Sequence, residues 1–487
     1  MGEEGGTWNR LVVLSTDNAI PRDGTPVGQG LLPFRFEAAP RPMDLTAHAG
    51  LTLIAETLLA LGVEGLVRDG LQVRARQRGY AEFDKLQAIV LIQAAGGDCV
   101  EDVRVLARDA GLARLLHRRF PSPDALHDFL ASFHDERLMA QRPRQGAWIP
   151  AESPALQALA GLNTAVVRRA VTGLGASTAT LDLDATTIVS HKRDALPLYT
   201  GGRGYQPTAV CWAEQDLVVA DQYRDGNVPA GMDPLTVAQR AFAVLPPTVT
   251  ARALRGDSAC YYAPLLKALV REGIAFTISA DMTEDLAALC RARGVHWSPF
   301  EDRVTETVEV AEIEFTPGNW PKRAVPLRYV AVRFSPKQGH LFGEGPKHLA
   351  VVSNRWDVAP PALLRWHWAK AGTIEFVHDV TKNELAARLP PSGKFGANAA
   401  WYRLALLTYN VCTVLRRRAL PARFGDARPR RLRYEVFTLP AALVTHARQL
   451  TAQLGVPPLT AEELITARGK LRALRTTLCA GDGGTSR

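Results

Sequence analysis

The stretch TLDLDATTI, residues 180–188, alternates apolar and acidic residues. Successive side chains of a β-strand point to opposite faces, so this pattern predicts a strand whose leucines enter a core. Asp182 and Asp184 would then share the opposite face of that strand. The stretch therefore predicts a buried strand that carries two carboxylates on one side.

The segments after this strand continue as a mixture of strands and helices. QPTAVCWA (206–213) and DLVVADQY (216–223) predict two further strands, PLTVAQRAFAVL (234–245) a helix, and TARALRGD (250–257) a fourth strand. YYAPLLKALVREG (261–273), IAFTIS (274–279) and TEDLAALCRARG (283–294) then predict a helix, a strand and a helix. Three meandering strands followed by a helix, a strand, a helix and a strand match the element order of the ribonuclease H-like fold.

Two more acidic residues stand where they could join Asp184. Asp257 ends the fourth predicted strand, and Glu375 lies in a helical pattern at 371–389. If the first and fourth strands are neighbours, Asp184 and Asp257 meet at one edge of the sheet, where they repel unless a cation lies between them. Carboxylate oxygens of this kind suit magnesium or manganese better than zinc. The structural alternative is that these acids cap helices or bind loop amides.

The composition points to a polyanionic partner. Lys and Arg number 58 against 49 Asp and Glu in 487 residues, a net charge of +9, which makes DNA the first candidate. The six cysteines are far apart and form no CxxC pair, and no uncharged apolar run approaches the ~20 residues that span a bilayer. We therefore expect a cytoplasmic protein without a membrane partner.

Three segments together resemble the catalytic segments of DDE transposases from bacterial insertion sequences. They are TLDLDATTI, RGDSA (255–259) and TIEFVHDVTKNEL (373–385), and the resemblance extends to FPSPDALHDFLASFHDE (120–136) and LPPSGKFGANAAWYRLALLTYN (389–410). In that family, DNA strand transfer runs on a ribonuclease H-like core with two Mg²⁺ ions, for which Mn²⁺ can substitute. The resemblance implies that Asp184, Asp257 and Glu375 are the catalytic metal ligands.

The family pattern also distinguishes between neighbouring candidates. Its first aspartate is followed within two residues by Thr or Ser, which favours Asp184 over Asp182. Its glutamate is followed after six residues by a lysine, here Lys382, which we expect to hold a DNA phosphate. Trp368 and Ala371 stand where the family has Tyr and Arg, and Lys370 beside Ala371 is a candidate to replace the arginine's charge.

Other basic residues are candidate DNA contacts. Lys192 and Arg193 follow the first strand, and eight arginines stand between residues 416 and 433. We expect Arg416, Arg417 and Arg418 to lie along the DNA backbone. The alternatives are a plain basic loop and a solvated linker.

These patterns together predict an α/β protein with a ribonuclease H-like core interrupted by a strand-rich insertion. The predicted regions are an N-terminal helical DNA-binding domain at 1–160, the first part of the catalytic core at 175–293, a β-rich insertion at 294–365, the second part of the core with the glutamate helix at 366–418, and a basic helical C-terminal region at 419–487.

The expected function is that of a transposase that binds inverted-repeat ends, cleaves the strands there and joins the freed 3′-hydroxyls to target DNA. A homodimer is implied, because two ends must be brought together. Two alternatives remain open from the sequence. One is a catalytically silent DNA-binding protein derived from such an element, and the other is a nuclease of the same fold that cleaves without joining.

Overall fold

The computed structural model describes residues 44–73, 79–321, 323–337 and 345–482, so residues 1–43 of the predicted N-terminal domain lie outside it. The described chain begins with a short strand and a series of helices. These are β1 (Leu45–Thr46), α1 (Thr52–Ala60), α2 (Val63–Gly70), α3 (Glu82–Ala95), α4 (Val103–Arg108), α5 (Ala110–Leu116), α6 (Pro123–Ala131), α7 (Glu136–Met139) and α8 (Pro154–Val171).

The central part of the chain forms a mixed sheet. Its elements are β2 (Thr178–Ala185), β3 (Ile188–Val189), β4 (Leu196–Pro197), β5 (Arg203–Tyr205), β6 (Thr208–Trp212), β7 (Leu217–Gln222), α9 (Pro234–Val244), β8 (Ala251–Gly256), α10 (Ala263–Arg271), β9 (Ala275–Ser279) and α11 (Glu284–Arg291). β2, β6 and β7 form an antiparallel meander, and β8 and β9 run parallel to β2, in the order β9-β8-β2-β6-β7. The expectation that the first and fourth strands of this core are neighbours is confirmed. β3, β5 and β4 form a small separate sheet.

The predicted insertion is rich in strands, but it continues the central sheet. Its elements are β10 (Ser298–Asp302), β11 (Glu306–Ile313), β12 (Arg328–Pro336) and β13 (Lys347–Ser353). The four strands are antiparallel, and β13 pairs with β9, so that nine strands form one sheet within the described residues. The pairing covers the edge of β9, whose backbone groups would otherwise be exposed for pairing with another chain.

The C-terminal third encloses the most buried helix of the described chain. Its elements are α12 (Pro360–Trp368), α13 (Ile374–Glu384), α14 (Phe395–Val414), α15 (Pro429–Leu432), β14 (Ala441–His446), β15 (Gln449–Leu454) and α16 (Pro458–Asp482). α14 is buried along its whole length and packs against α3, α8 and β7. A helix that is buried on every side is typical of the centre of a large domain.

Two features of the predicted domain layout differ in the structure. The C-terminal region, predicted as helical, contains the β14–β15 hairpin, which pairs with β1. Contacts also join the described residues from Leu45 onward into one unit, which spans the boundaries between the predicted regions. α14 contributes to this because its Arg403 is buried between Asp221 of β7 and Glu152 before α8, with contacts of 2.8 and 3.1 Å.

Within the described ranges, no single helix has the length and apolar composition needed to cross a membrane. One bent pair of segments, Ala49–Ala60 and Val63–Gly70, meets those two criteria together.

Candidate active site

Asp184 and Asp257 lie side by side at the carboxyl ends of two parallel strands. Leu183 of β2 is in register with Gly256 of β8, so the aspartate that follows each of them reaches the same edge of the sheet. Burial raises the pKa of Asp257, and the negative charge of Asp184 raises it further. The carboxylate of Asp184 is therefore close enough to oppose ionisation of Asp257.

A lysine compensates part of this negative charge. The Nζ atom of Lys370 lies 3.4 Å from Oδ2 of Asp184, and its charge also acts to lower the pKa of Asp257. Lys370 is buried in a 3₁₀ turn, Ala369–Gly372, that leads into α13. The sequence pointed to Lys370 only as a substitute for the missing arginine, and the structure places it against the first aspartate.

Asp182, the other aspartate of β2, has a structural role. Its side chain is fully buried, and its two oxygens accept hydrogen bonds from Nε and Nη2 of Arg255 at 2.6 and 2.7 Å. The hydroxyl of Thr373 also donates to Asp182. These contacts connect β2, β8 and the start of α13, and they leave Asp184 as the aspartate of β2 that faces the site.

Glu375 is on the first turn of α13, which packs against β2 and β6. Its side chain is exposed. The structure brings Asp184 and Asp257 together but does not add Glu375 to them, and over the described ranges no three His, Cys, Asp or Glu side chains form a group that could hold a metal. Asp379, one turn further, is engaged elsewhere, because it accepts hydrogen bonds from Arg428 and from Asn383.

Two more side chains of α13 face the end of β2. Nζ of Lys382 donates to Oγ1 of Thr186 at 2.8 Å, and burial lowers the pKa of Lys382. His378 is buried one turn before it, and burial lowers the pKa of this imidazole to about 3. Neither ring nitrogen of His378 has a hydrogen-bond partner within the described structure. His378 is therefore a neutral group next to the end of β2.

Asp281 is a further carboxylate that the sequence reasoning missed. It lies two residues after the end of β9, the third parallel strand, whereas Asp257 comes directly after β8. Burial and the charge of Asp257 raise the pKa of Asp281. Its place in the sequence could have revealed it. Parallel strands end on the same side of a sheet, so an aspartate soon after the third parallel strand is expected near Asp257.

The predicted DNA-binding residues have different environments. Lys192 and Arg193 are exposed on the loop between β3 and β4. Arg416, by contrast, is buried in a π-helical turn, where it pairs with Asp216 and donates to the carbonyl of Gly425. The expectation that Arg416 lies along DNA needs correction, because its guanidinium is used inside the protein.

The neighbours of Arg416 also contact the protein. A guanidinium nitrogen of Arg417 donates to the carbonyl of Glu214 at 3.2 Å, and one of Arg418 donates to the carbonyl of Ala170 at 2.6 Å. Both side chains are less buried than that of Arg416. The three arginines connect the segment after α14 to α8 and to neighbouring loops.

The side chains at this end of the sheet meet part of the requirements of a divalent cation. Asp184 and Asp257 provide adjacent carboxylate oxygens, the ligands that Mg²⁺ prefers, and the mutual repulsion of this pair is relieved by a cation. Lys370 supplies part of that positive charge. The aspartate pair fits a divalent cation, while a third carboxylate ligand does not stand with it in this structure.

Comparison with known proteins identifies the family. The model of the family described as transposase DDE domain group 1 matches residues 37–476, which is most of the chain. The chain belongs to this family of DDE transposases. The cryo-EM structure of the piggyBac transposase synaptic complex with hairpin DNA is similar to this transposase with a TM-score of 0.40 and 12% identity, over 74% of this chain and 71% of that chain. No curated protein sequence matches this transposase.

Proposed function

We propose that this DDE transposase binds the inverted-repeat ends of a bacterial insertion sequence, cleaves DNA strands at those ends and joins the 3′-hydroxyls to target DNA. The observation that carries the proposal is the pairing of Asp184 and Asp257 at one sheet edge in a chain of this family. The strand order β9-β8-β2-β6-β7, with a three-stranded meander beside two parallel strands, supports a ribonuclease H-like core.

The proposed reaction needs a divalent cation, Mg²⁺ or in its place Mn²⁺, held in a two-ion site by Asp184, Asp257 and Glu375. Such ions activate an attacking water or hydroxyl and stabilise the leaving oxygen of a phosphodiester. Asp184 and Asp257 would bind the metal ions from the ends of two strands. Glu375 would reach the same ions from the start of α13. Glu375 is a better candidate than Asp379 because Asp379 is paired with Arg428.

Lys370 and Lys382 have proposed roles beside the carboxylates. The ammonium of Lys370 contacts Asp184 and partly neutralises the charge of Asp184 and Asp257 before metal ions and DNA bind. Lys382, held by Thr186 at the end of β2, would contact a phosphate next to the cleaved bond. Lys192 and Arg193 would extend this contact along the backbone.

Replacing Lys370 with methionine is expected to tighten Mn²⁺ binding about tenfold, because a positive charge next to Asp184 opposes binding of a second cation. Isothermal titration with Mn²⁺ at mildly alkaline pH measures the effect without any catalytic step. Lys370→Arg keeps the charge and serves as the control. An unchanged affinity in Lys370→Met, or the same increase in Lys370→Arg, would contradict this role.

The DNA partner is tested by the dependence of binding on salt. Affinity for duplex DNA should fall steeply with salt, and the double variant Lys192→Ala/Arg193→Ala should lower the slope of the log–log plot by about 2, since each phosphate contact contributes about 0.9. The matched control is Lys267→Ala/Arg271→Ala on α10. This helix ends where β9 begins, at the end of the sheet away from Asp184 and Asp257. A flat salt response of the wild type would argue against DNA as the partner.

We propose a homodimer in the DNA complex, because two ends must be held together, and a cytoplasmic location. The rival functions are a silent DNA-binding protein and a nuclease that does not join ends. A silent protein would bind ends and never cut them. A nuclease would release cut ends without forming joined products in the presence of a target plasmid.

A further inference from the structure

The loop between α13 and α14, residues 385–394, carries two basic side chains without counter-charges. Its sequence, LAARLPPSGK, contains Arg388 and Lys394 and no acidic residue. Both side chains are exposed, and neither makes a hydrogen bond or an ion pair with the part of the chain that the structure describes. By contrast, Arg428, which lies against the helix before this loop, is paired with two carboxylates. Arg388 and Lys394 are therefore available to a ligand.

Lys382 connects Arg388 to the aspartate pair. Burial lowers the pKa of Lys382, and two charges of opposite sign act on it as well: that of Asp184 raises the pKa and that of Arg388 lowers it. Lys382 is therefore near both the first aspartate and Arg388. The two cations repel each other, and an anion bound between them would relieve this repulsion.

The far end of the α13–α14 loop lies against the loop between β3 and β4. A Cβ atom on Gly393, the residue before Lys394, would lie 4.0 Å from Cβ of Arg193. Arg193 is paired with Asp194 at 3.5 Å, whereas Lys192 is exposed and its side chain has no partner in the described ranges. The two loops thus form one basic surface, which consists of Lys382, Arg388, Lys394, Lys192 and Arg193.

Hydrogen bonds hold the backbone of the α13–α14 loop in place. The buried side chain of Asn398 accepts from the backbone N–H of Ser392 and donates to the carbonyl of the same residue, each at 3.0 Å. It also donates to the hydroxyl of Tyr205 in β5 at 3.0 Å. Nε1 of Trp401 donates to the carbonyl of Ala386 at 2.8 Å, near the start of the loop. A loop that is ordered in advance loses little conformational entropy when a ligand binds.

The cations of the basic surface fit the phosphates of a DNA backbone. Exposed ammonium and guanidinium groups without protein partners bind phosphate oxygens through charge-assisted hydrogen bonds. The surface begins beside Asp184, where the phosphodiester to be cut would lie, so DNA bound there continues over the loop. The chain from Lys382 to Arg388 spans at most about 22 Å, which corresponds to roughly six base pairs of duplex. Arg388 is therefore within one helical turn of the cut.

We propose that Arg388 and Lys394 bind phosphates of duplex DNA within one helical turn of the cleaved bond. They extend the backbone contact of Lys382 towards Lys192. The proposal rests on the proposed function, because it takes DNA at the aspartate pair as the ligand.

The test measures binding to a duplex that spans one of the inverted repeats flanking the gene, by fluorescence anisotropy in a chelator at several salt concentrations. Arg388→Ala/Lys394→Ala should lower the slope of the log–log plot by about 2, since each phosphate contact contributes about 0.9. Arg388→Lys/Lys394→Arg keeps both charges and should keep the wild-type slope. Lys267→Ala/Arg271→Ala removes the same charge from the other end of the sheet and is the matched control.

The position of the contact is tested by replacing single phosphates of the same duplex with neutral methylphosphonates. Within one turn of the cut, at least one replacement should weaken binding of the wild type about tenfold, the usual effect of losing a hydrogen bond to a charged group. The same replacement should have little effect on Arg388→Ala/Lys394→Ala, because its partner is already missing.

The outcomes separate this proposal from the proposed function. A wild type with a steep salt response, beside an Arg388→Ala/Lys394→Ala variant with the same slope, overturns the basic-surface assignment alone. An equal fall in slope for Lys267→Ala/Arg271→Ala also overturns it, because the effect would then come from net charge. A wild type that binds no DNA overturns both proposals. Thermal unfolding is measured for each variant, and the exposed positions of Arg388 and Lys394 predict no loss of stability.

Discussion

Replacing Asp182 with asparagine is expected to lower the free energy of unfolding by about 3–5 kcal/mol, the usual cost of breaking a buried ion pair by removing one partner. Both carboxylate oxygens of Asp182 accept hydrogen bonds from Arg255, and neither side chain has more than slight contact with solvent. The variant would leave the guanidinium of Arg255 buried without a counter-charge. Urea denaturation followed by circular dichroism measures this loss.

The matched control is Asp184→Asn, two residues along the same strand. We expect it to change the free energy of unfolding by less than about 1 kcal/mol, because the lost contact with Lys370 is offset by relief of the repulsion with Asp257. Equal destabilisation by the two substitutions would contradict the division of β2 into a structural and a functional aspartate.

Much of the fold could be predicted from local patterns. Alternating apolar and acidic residues identified β2, and short apolar segments identified β6 and β7. The continuation of the sheet into β13 could not be predicted. Strand periodicity shows which face is buried but does not show which strand is the partner.

The β14–β15 hairpin was missed for a local reason. Its two turn residues, Ala447 and Arg448, both have positive φ angles, 46° and 64°. Turns of this kind usually carry Asn-Gly or Asp-Gly, since those residues tolerate the left-handed region. The sequence lacks that signal, and its short alternating segments were therefore interpreted as helical.

The aspartate pair was accessible from the sequence because parallel strands end at a common edge. The position of Lys370 was not, because it depends on how the turn before α13 packs against β2. Arg416 illustrates the opposite error. A run of arginines resembles a DNA-binding tail, but the buried position of Arg416 depends on Asp216, which is 200 residues away in the chain.

The catalytic prediction concerns the three carboxylates. Asp184→Asn, Asp257→Asn and Glu375→Gln each keep the shape of the side chain but remove a charge that would hold the divalent ions. We expect each to lower Mg²⁺-dependent cleavage by orders of magnitude while binding to DNA ends survives. Asp379→Asn, on the same helix, should retain most of the activity, because Asp379 is occupied by Arg428.

The most direct test is a cleavage assay on duplexes that carry the inverted repeats flanking the gene. Wild type, Asp184→Asn, Asp257→Asn, Glu375→Gln and Asp379→Asn are compared with Mg²⁺ at matched occupancy of the DNA, and a chelator provides the blank. We expect cutting by wild type and Asp379→Asn and none by the other three variants. Unchanged cutting by Asp184→Asn and Asp257→Asn, or an active Glu375→Gln beside an inactive Asp379→Asn, would contradict it.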